Sequence, residues 1–368
     1  MIALTTVRRR WLPVALFAGA LAAAWWRVPN PAPSRFAPPA AAAAPLPAMF
    51  TSALLPAGTH PGESSLTQLA DGRIAAAWSA DDTQEPPERR LLFSIREASG
   101  WRPPLVIASR ASTAGGTFAH ERDIGNPLLY AEGGWLHLWY TGRSGWAGRS
   151  LKHSVSTDGG KRWATTVAIR SAPLASGVRL GAPPITLADG GLGLPIASDG
   201  WASYGEYLRL APTGEILDKQ RLAQPQAALL PAVVALDEQR GLALLPAAGQ
   251  ILTAVTTDGG LTWPAAAALP VANPKTPLAL LRLPSGRLLL AGNRPEGRAT
   301  LGLWLSSDAG KTWQSSHTLE NAADGAAEFS DPSLLLGRDG RLHLTYSWRR
   351  QGIKYLSFSE AWLDGTPP

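Results

Sequence analysis

The octapeptide Ser306-Ser307-Asp308-Ala309-Gly310-Lys311-Thr312-Trp313 constrains this chain more than any other stretch, because its pattern Ser/Thr-x-Asp-x-Gly-x-x-Trp returns at residues 156–163 and 256–263. Recurrence of a turn motif marks a repeat protein, in which each unit buries its apolar faces against its neighbours. Asp158, Asp258 and Asp308 offer acceptors to turn N–H groups, while Gly160, Gly260 and Gly310 tolerate positive φ, so each motif reads as a tight turn between two strands. Trp163, Trp263 and Trp313 then pack on the neighbouring unit. A weaker copy keeps only its ends, Ser94 and Trp101, at the same separation.

A second signal runs in step with the first: an apolar run, a Gly-containing turn, then another apolar run. The turns fall at Asp71-Gly72, Gly133-Gly134, Asp189-Gly190-Gly191, Gln239-Arg240-Gly241, Ser285-Gly286 and Asp339-Gly340, spaced 46 to 62 residues apart. That spacing suits four short antiparallel strands with loops, so six hairpins predict six blades. Each motif lies downstream of a hairpin, as a turn between strands three and four would, and the blade around residues 189–217 lacks one. The last blade is one strand short. Residues 49–55 are expected to supply its outer strand and close the ring, which removes an open edge.

The motifs resemble the Asp-box (BNR) repeat of the sialidase/neuraminidase superfamily. The resemblance to bacterial sialidase-like proteins covers about residues 58–363 and is carried further by Ile124-Gly125-Asn126-Pro127, Gly205-Glu206-Tyr207-Leu208-Arg209-Leu210 and Phe329-Ser330-Asp331-Pro332, continuing to Tyr346-Ser347-Trp348-Arg349-Arg350. It implies an all-β fold, a six-bladed β-propeller of sialidase type with four-stranded antiparallel blades. In this reading the boxes are structural, so Asp158, Trp163, Asp258, Trp263, Asp308 and Trp313 hold the fold.

Hairpin turns and boxes share one face of a propeller. The opposite face, with the starts of the inner strands and the loops after the second strands, is where a central pocket forms. That rule collects His60 and Glu63; Asp81, Asp82, Glu85, Arg89 and Arg90; His120 to Asp123 and Asn126; Arg143, Arg149 and Arg179. Further on it adds Asp199, Tyr204, Glu206, Asn273, Lys275, Asn293, Arg294, Arg298, Glu328, Asp331, Arg349 and Arg350. So many arginines around one concavity suit a carboxylate-bearing sugar, since guanidinium pairs with carboxylate through two bonds.

Sialidases, by the resemblance, hold the sugar carboxylate with three arginines, use an Asp as acid/base, and attack with a Tyr paired to a Glu. Here Pro61-Gly62-Glu63 stands where the first-blade Arg-Ile-Pro would be, Asp331 stands where the Tyr would be, and Lys275 falls near the fifth-blade arginine. The catalytic candidates are Asp331, Asp82 (with Asp81 beside it), Glu85 and Glu206. The substrate-binding candidates are His60, Arg122, Asn126, Arg294, Arg298, Arg349 and Arg350. With Arg298, Arg349 or Arg350 close by, the Asp331 carboxylate is expected to stay ionised near neutral pH. The expected function is an exported, exo-alpha-sialidase-type glycosidase acting on acidic glycans. The alternatives are a non-catalytic propeller that binds glycan or protein, and a uronate polysaccharide lyase using His120, Arg122 and Tyr204.

No cofactor or metal is expected: the chain has no cysteine, its six histidines are scattered, and Gly190-Gly191-Leu192-Gly193 lies in a hairpin rather than a phosphate loop. The formal charge of +6 suggests a polyanion partner until it is divided. Arg8, Arg9, Arg10, Arg27 and Arg35 precede any acid, and the remainder carries 29 basic against 28 acidic residues, so no nucleic-acid partner is expected. Arg8-Arg9-Arg10 followed by an uncharged apolar run to Trp26 reads as an export signal or N-terminal anchor over residues 1–27, with Ala22-Ala23-Ala24 offering a cleavage site. Residues 28–48, rich in Pro and Ala, read as a tether that buries no core, and 49–368 as the propeller, a periplasmic monomer touching the membrane only through its leader.

Overall fold

A computed structural model describes residues 13–20, 33–38, 44–144, 148–169, 177–199, 203–222, 230–247, 249–264, 267–322 and 327–365. The chain divides into two units, Met1–Pro33 and Ser34–Pro368. In the first, residues 13–20 are helical. No helix among the described residues is long and apolar enough to cross a membrane. The leader arginines and the Ala22-Ala23-Ala24 site lie outside the described residues.

The second unit is the expected ring of six antiparallel sheets. Blade one runs Ser64–Gln68, Ile74–Asp81, Arg89–Glu97 and Leu105–Ser109; blade two runs Glu121–Glu132, Trp135–Ser144, Gly148–Ser156 and Val167–Ile169. Blade four (Ala232–Ala235, Gly241–Ala247, Gln250–Thr256, Ala267–Leu269) and blade five (Ala279–Arg282, Leu288–Arg294, Gly297–Ser306, Gln314–Asn321) follow the same order. Blade three differs, because its inner strand is broken into Val178–Leu180 and Ile185–Thr186, both paired with Leu192–Asp199, before Ser203–Leu210 and Ile216–Leu222 complete it. Pro183 and Pro184 sit in the break, where neither can donate to a ladder.

Blade six (Phe329–Leu336, Leu342–Trp348, Gly352–Phe358) borrows its outer strand, Phe50–Leu54, from the start of the unit, in a register from Phe50 opposite Phe358 to Leu54 opposite Lys354. The expected closure is therefore present. Inner and second strands are apolar on both faces because neighbouring blades cover both; Ala75 to Trp78 and Leu288 to Ala291 are fully buried.

The three boxes are turns between third and fourth strands and share one hydrogen-bond scheme. In the box of blade two, the Ser156 hydroxyl donates to Asp158 Oδ1 (2.9 Å) and accepts from the Gly160 N–H (2.9 Å), Asp158 also accepts from the Arg162 N–H (2.9 Å), and the Trp163 indole donates to the Gly160 carbonyl (3.1 Å). Residues 256–263 and 306–313 repeat it. The box glycine is needed twice over. Gly160, Gly260 and Gly310 adopt φ of 89°, 90° and 89°, and a Cβ there would lie 2.4 Å from Phe93, 2.8 Å from Tyr207 and 2.4 Å from Leu242, each on the preceding blade. Trp263 is buried, whereas Trp163 and Trp313 are half-buried, so the three indoles are not equal contributors.

The expectation of a tether over residues 28–48 does not hold for its described middle. Phe36 is fully buried in the core between blades three and four, with Leu187, Tyr207, Ala243 and Trp263. Its N–H donates to the Glu238 carbonyl (2.8 Å), the Ala37 and Ala188 N–H groups bond to Thr186 and Arg35 (both 2.9 Å), and the Ser34 hydroxyl donates to the Gly259 carbonyl (2.9 Å). A single large aromatic in a Pro/Ala-rich run is enough to anchor it.

Phe36→Ala is expected to destabilise the ring by about 3–5 kcal/mol, the cost of deleting a buried aromatic, and Trp263→Ala by a similar amount. Trp313→Ala should cost less because its ring is already part-solvated. Urea unfolding of the three variants measures the order. A Phe36→Ala protein as stable as wild type would show that the segment does not dock.

Candidate functional site

On the face opposite the boxes the backbone is irregular where the sequence places its polar loops. His60, Asn126, Lys275, Asp331, Arg349 and Arg350 all have positive φ, between 42° and 64°. Non-glycine residues held this way are costly and cluster where a site needs a side chain aimed in a particular direction. Asn126 and Asp331 each precede a proline and each sit in a bulge, where pairing shifts between Gly125 and Leu128 and between Ser330 and Ser333. The bulges turn both side chains to the wall of a narrow axial pit, which Glu63, Ser64, Pro127, Pro277, Pro332 and Ser333 also line.

Beside the pit, between blades one and two, opens a polar pocket of about 480 Å³. Arg89, Arg110, Arg122, Arg143 and Arg149 line it against Glu63, Asp81 and Asp123; Glu63 and Asn126 belong to both pocket and pit and form the partition. Arg89 is tied to Asp81 (3.1 Å) and to the His60 carbonyl (3.1 Å), Arg143 to Asp123 (3.8 Å), and Arg110 to Glu88 (3.2 Å). Among the described residues Arg122 and Arg149 form no ion pair. Behind the wall a buried Lys152–Glu121 pair (2.5 Å) fixes the strand from which Arg122 and Asp123 project.

Asp331 is a titratable group strongly altered by its place on this face. Burial pushes its carboxyl up to about 6 and the charge of Glu63 adds to that, while the Ser330 hydroxyl (2.7 Å) and the Arg298 guanidinium pull the other way. The expected arginine clamp is therefore only partial: Arg298 contributes, but Arg349 lies over the Trp348 ring (5.0 Å) and Arg350 pairs with Glu328 (3.4 Å). Glu63 is held from its other side by the Ser79 hydroxyl (2.8 Å).

The other candidates divide clearly. Arg122 and Asn126 line the pocket, the latter accepting from the Thr141 hydroxyl (3.2 Å), and His60 reaches Asp81 at the rim (3.4 Å). Asp82 instead organises its own loop: it accepts from the Glu88 (2.9 Å) and Gln84 (3.0 Å) N–H groups and pairs with Arg90 (2.6 Å), and these bonds hold its carboxyl below the ordinary range. Glu85 is an exposed loop residue outside the lining. Glu206 is buried within blade three, bonded to the Ser198 hydroxyl and to Lys219 (3.2 Å). Arg294 turns toward Ser315 (2.8 Å) and the Trp304 ring (5.4 Å). Tyr204 lies under Arg221 (3.8 Å), so the trio suggested for a lyase is not gathered.

Of the lining residues, Glu63, Asp81, Arg89, Arg143 and Arg149 are on the face that the hairpin rule selects, but nothing in sequence singles them out from their neighbours. Arg110 escaped even that rule. It opens the helix Arg110–Thr117, whose signal is the Ser109-x-x-Ser112 capping box: the Ser109 hydroxyl accepts from the Ser112 N–H and the Ser112 hydroxyl accepts from the Ser109 N–H.

A family model described as a BNR repeat-like domain matches residues 68–344. No curated protein matches the chain in sequence. Among solved structures it is similar to a Dyadobacter fermentans protein of unknown function, at 16% identity over 84% of this chain and 99% of that one, with a TM-score of 0.66. It is similar to the intramolecular trans-sialidase of Ruminococcus gnavus in complex with oseltamivir carboxylate, at 13% identity over 84% of this chain and 96% of that one (TM-score 0.64). Trypanosoma rangeli sialidase in complex with the inhibitor DANA aligns at 12% identity over 83% of this chain and 56% of that one (TM-score 0.63). At such identities the likeness is one of fold.

An Asp that binds its proton more tightly in the folded chain than in the unfolded one makes the fold lose stability as pH rises from 3.8 to about 6. Asp331→Asn should therefore stabilise the protein more at pH 7.5 than at pH 4, by roughly 1–2 kcal/mol once the open mouth of the pit is allowed for. Chemical unfolding at the two pH values measures the difference, and an equal effect at both would mean that Asp331 titrates normally.

Proposed function

We propose, on the premise that this chain belongs to the BNR repeat-like domain family and has the fold of a sialidase, that it is a glycan-active propeller. Its arginine pocket takes the carboxylate of an acidic sugar, and it hydrolyses the glycosidic bond at the partition with the pit. The observation that carries this reading is the pocket itself: Arg122 and Arg149, without ion pairs among the described residues, stand beside the Glu63–Asp331 carboxyl pair. A guanidinium not already paired is available for two-bond recognition of a carboxylate. An acid near 6 gives its proton to a departing sugar oxygen near neutral pH, and Glu63 beside it is placed to take one from water. Ligands bearing a carboxylate in the Ruminococcus gnavus neighbour fit the same chemistry. We place the protein outside the inner membrane, on the strength of Arg8-Arg9-Arg10 and the apolar run behind it.

The test is turnover of aryl sialosides, aryl uronides and a neutral aryl glycoside by the purified protein, with glycan binding measured in parallel. Asp331→Asn should lower turnover by a hundredfold or more and leave binding intact. Arg122→Ala or Arg149→Ala should weaken binding of the acidic glycan about tenfold, the loss expected for a charged hydrogen bond. Binding without turnover of any of the three substrates would instead establish a non-catalytic glycan reader, a reading favoured by Pro61-Gly62-Glu63 standing where the family resemblance expects Arg-Ile-Pro.

A further inference from the structure

Each junction between blades is a separate apolar cluster, and the box face closes these clusters with one recurring device. The later blade of each pair sends an indole from the end of its third strand onto the earlier blade. Trp163 meets Phe93 (6.0 Å between ring centroids), Trp263 meets Tyr207 (5.4 Å), Trp101 meets Tyr355 (5.3 Å), and Trp313 packs into the cluster of blades four and five. Blade six has no box, yet the 3₁₀ turn Glu360–Asp364 that follows Phe358 places Trp362 over His317 (4.0 Å) and Phe50 (4.7 Å). Five junctions are thus closed in the same way.

The junction of blades two and three is the exception. Blade three turns from Leu210 to Ile216 through Ala211-Pro212-Thr213-Gly214-Glu215, a tight loop without an aromatic residue. What remains is a slot of about 490 Å³, lined on blade two by Trp135, His137, Trp139 and His153 and on blade three by Leu210 and Pro212. Three of these rings lie parallel: His137 and Trp139 are 5.3 Å apart at 9°, Trp139 and His153 are 4.9 Å apart at 13°, and the two imidazoles are 5.3 Å apart at 4°.

We propose that this slot is a docking site for a tryptophan side chain presented by a partner polypeptide, the sixth instance of a contact that the fold makes five times within itself. Flat parallel rings take a flat apolar group by offset stacking. An anion finds no positive charge to meet there, because burial keeps both imidazoles neutral at physiological pH (His153 near 4) and each uses a ring nitrogen on the other (3.1 Å). A purely hydrocarbon occupant is disfavoured by Trp139, which is 2% exposed and whose indole N–H has no acceptor. In every box an indole N–H is met by a main-chain carbonyl at 3.1 Å. An incoming peptide segment supplies such a carbonyl with its tryptophan, and so satisfies the orphaned donor. Trp135, half-exposed at the rim, extends the platform outward.

The probe is N-acetyltryptophanamide, which carries both indole and carbonyl, titrated into the full-length protein while the indole N–H resonance of Trp139 is followed. Saturable binding that shifts this resonance, with N-acetylalaninamide at least tenfold weaker, is the expected result. Trp139→Phe keeps a ring and removes the donor; it should weaken the probe about tenfold. The surface variant Trp135→Ala should weaken it severalfold without disturbing the fold. No saturable binding up to the solubility limit overturns the proposal, as does equal binding of methyl glucoside, which would make the slot a sugar platform. Binding unchanged in both variants would also overturn it, since the probe would then sit elsewhere.

Discussion

The ring depends on an indole of one blade seated on the blade before it. A propeller blade is apolar on both faces, and by itself would leave both exposed; it is stable only when each face meets a neighbour at a fixed distance. The box sets that distance. Its hydroxyl, Asp and Gly form a hydrogen-bonded turn, and the indole N–H is tied to the box's own Gly carbonyl, so the ring plane is fixed before it meets the preceding blade. Because a Cβ on the box glycine would lie only 2.4–2.8 Å from side chains of the earlier blade, turn and interface are one structure and cannot be varied separately. The strand Phe50–Leu54 then converts a row of such contacts into a closed ring.

That tightness on one face leaves the other free to be irregular. The bulges at Asn126 and Asp331, the left-handed backbone at six polar positions and the broken inner strand of blade three all occur away from the boxes. Strain of this kind persists only where its surroundings over-determine it. Asn293 shows how that is done: fully buried, it donates to the carbonyls of Thr300 (2.6 Å) and Phe329 (2.7 Å) and so pins the strand start from which Asp331 projects.

The fold was legible in the sequence because its determinants are local. A box is eight consecutive residues and a hairpin about a dozen, and each specifies its own geometry without reference to the rest. Phe36 was illegible for the opposite reason: nothing in the residues flanking it tells that Tyr207 and Trp263, far along the chain, form a cavity of its shape. The site lies between these extremes. The hairpin rule selects the face on which the pocket and the pit open, and Arg122, Asn126 and Asp331 line them, because strand ends are a local property. It did not separate Asp81, which reaches the pocket, from Asp82, which caps its own loop, since one residue's difference in a strand end reverses the direction of the side chain.

The same distinction governs the charges. Sequence counts arginines, but a site is defined by which of them already have partners. Arg349 and Arg350 look like the most suggestive pair in the chain, adjacent and at the end of a blade, yet Trp348 and Glu328 occupy them. Arg122 and Arg149 look ordinary and have no ion pair among the described residues. Asp331, with the Ser330 hydroxyl and Arg298 drawing on it only in part, keeps the high proton affinity that burial and Glu63 impose. Cations without ion pairs among the described residues on one side of the Glu63–Asn126 partition and a proton-holding carboxyl on the other are two halves of one electrostatic arrangement. An anion entering the pocket would neutralise the first and raise the proton affinity of the second, so binding and protonation reinforce each other across a wall one side chain thick.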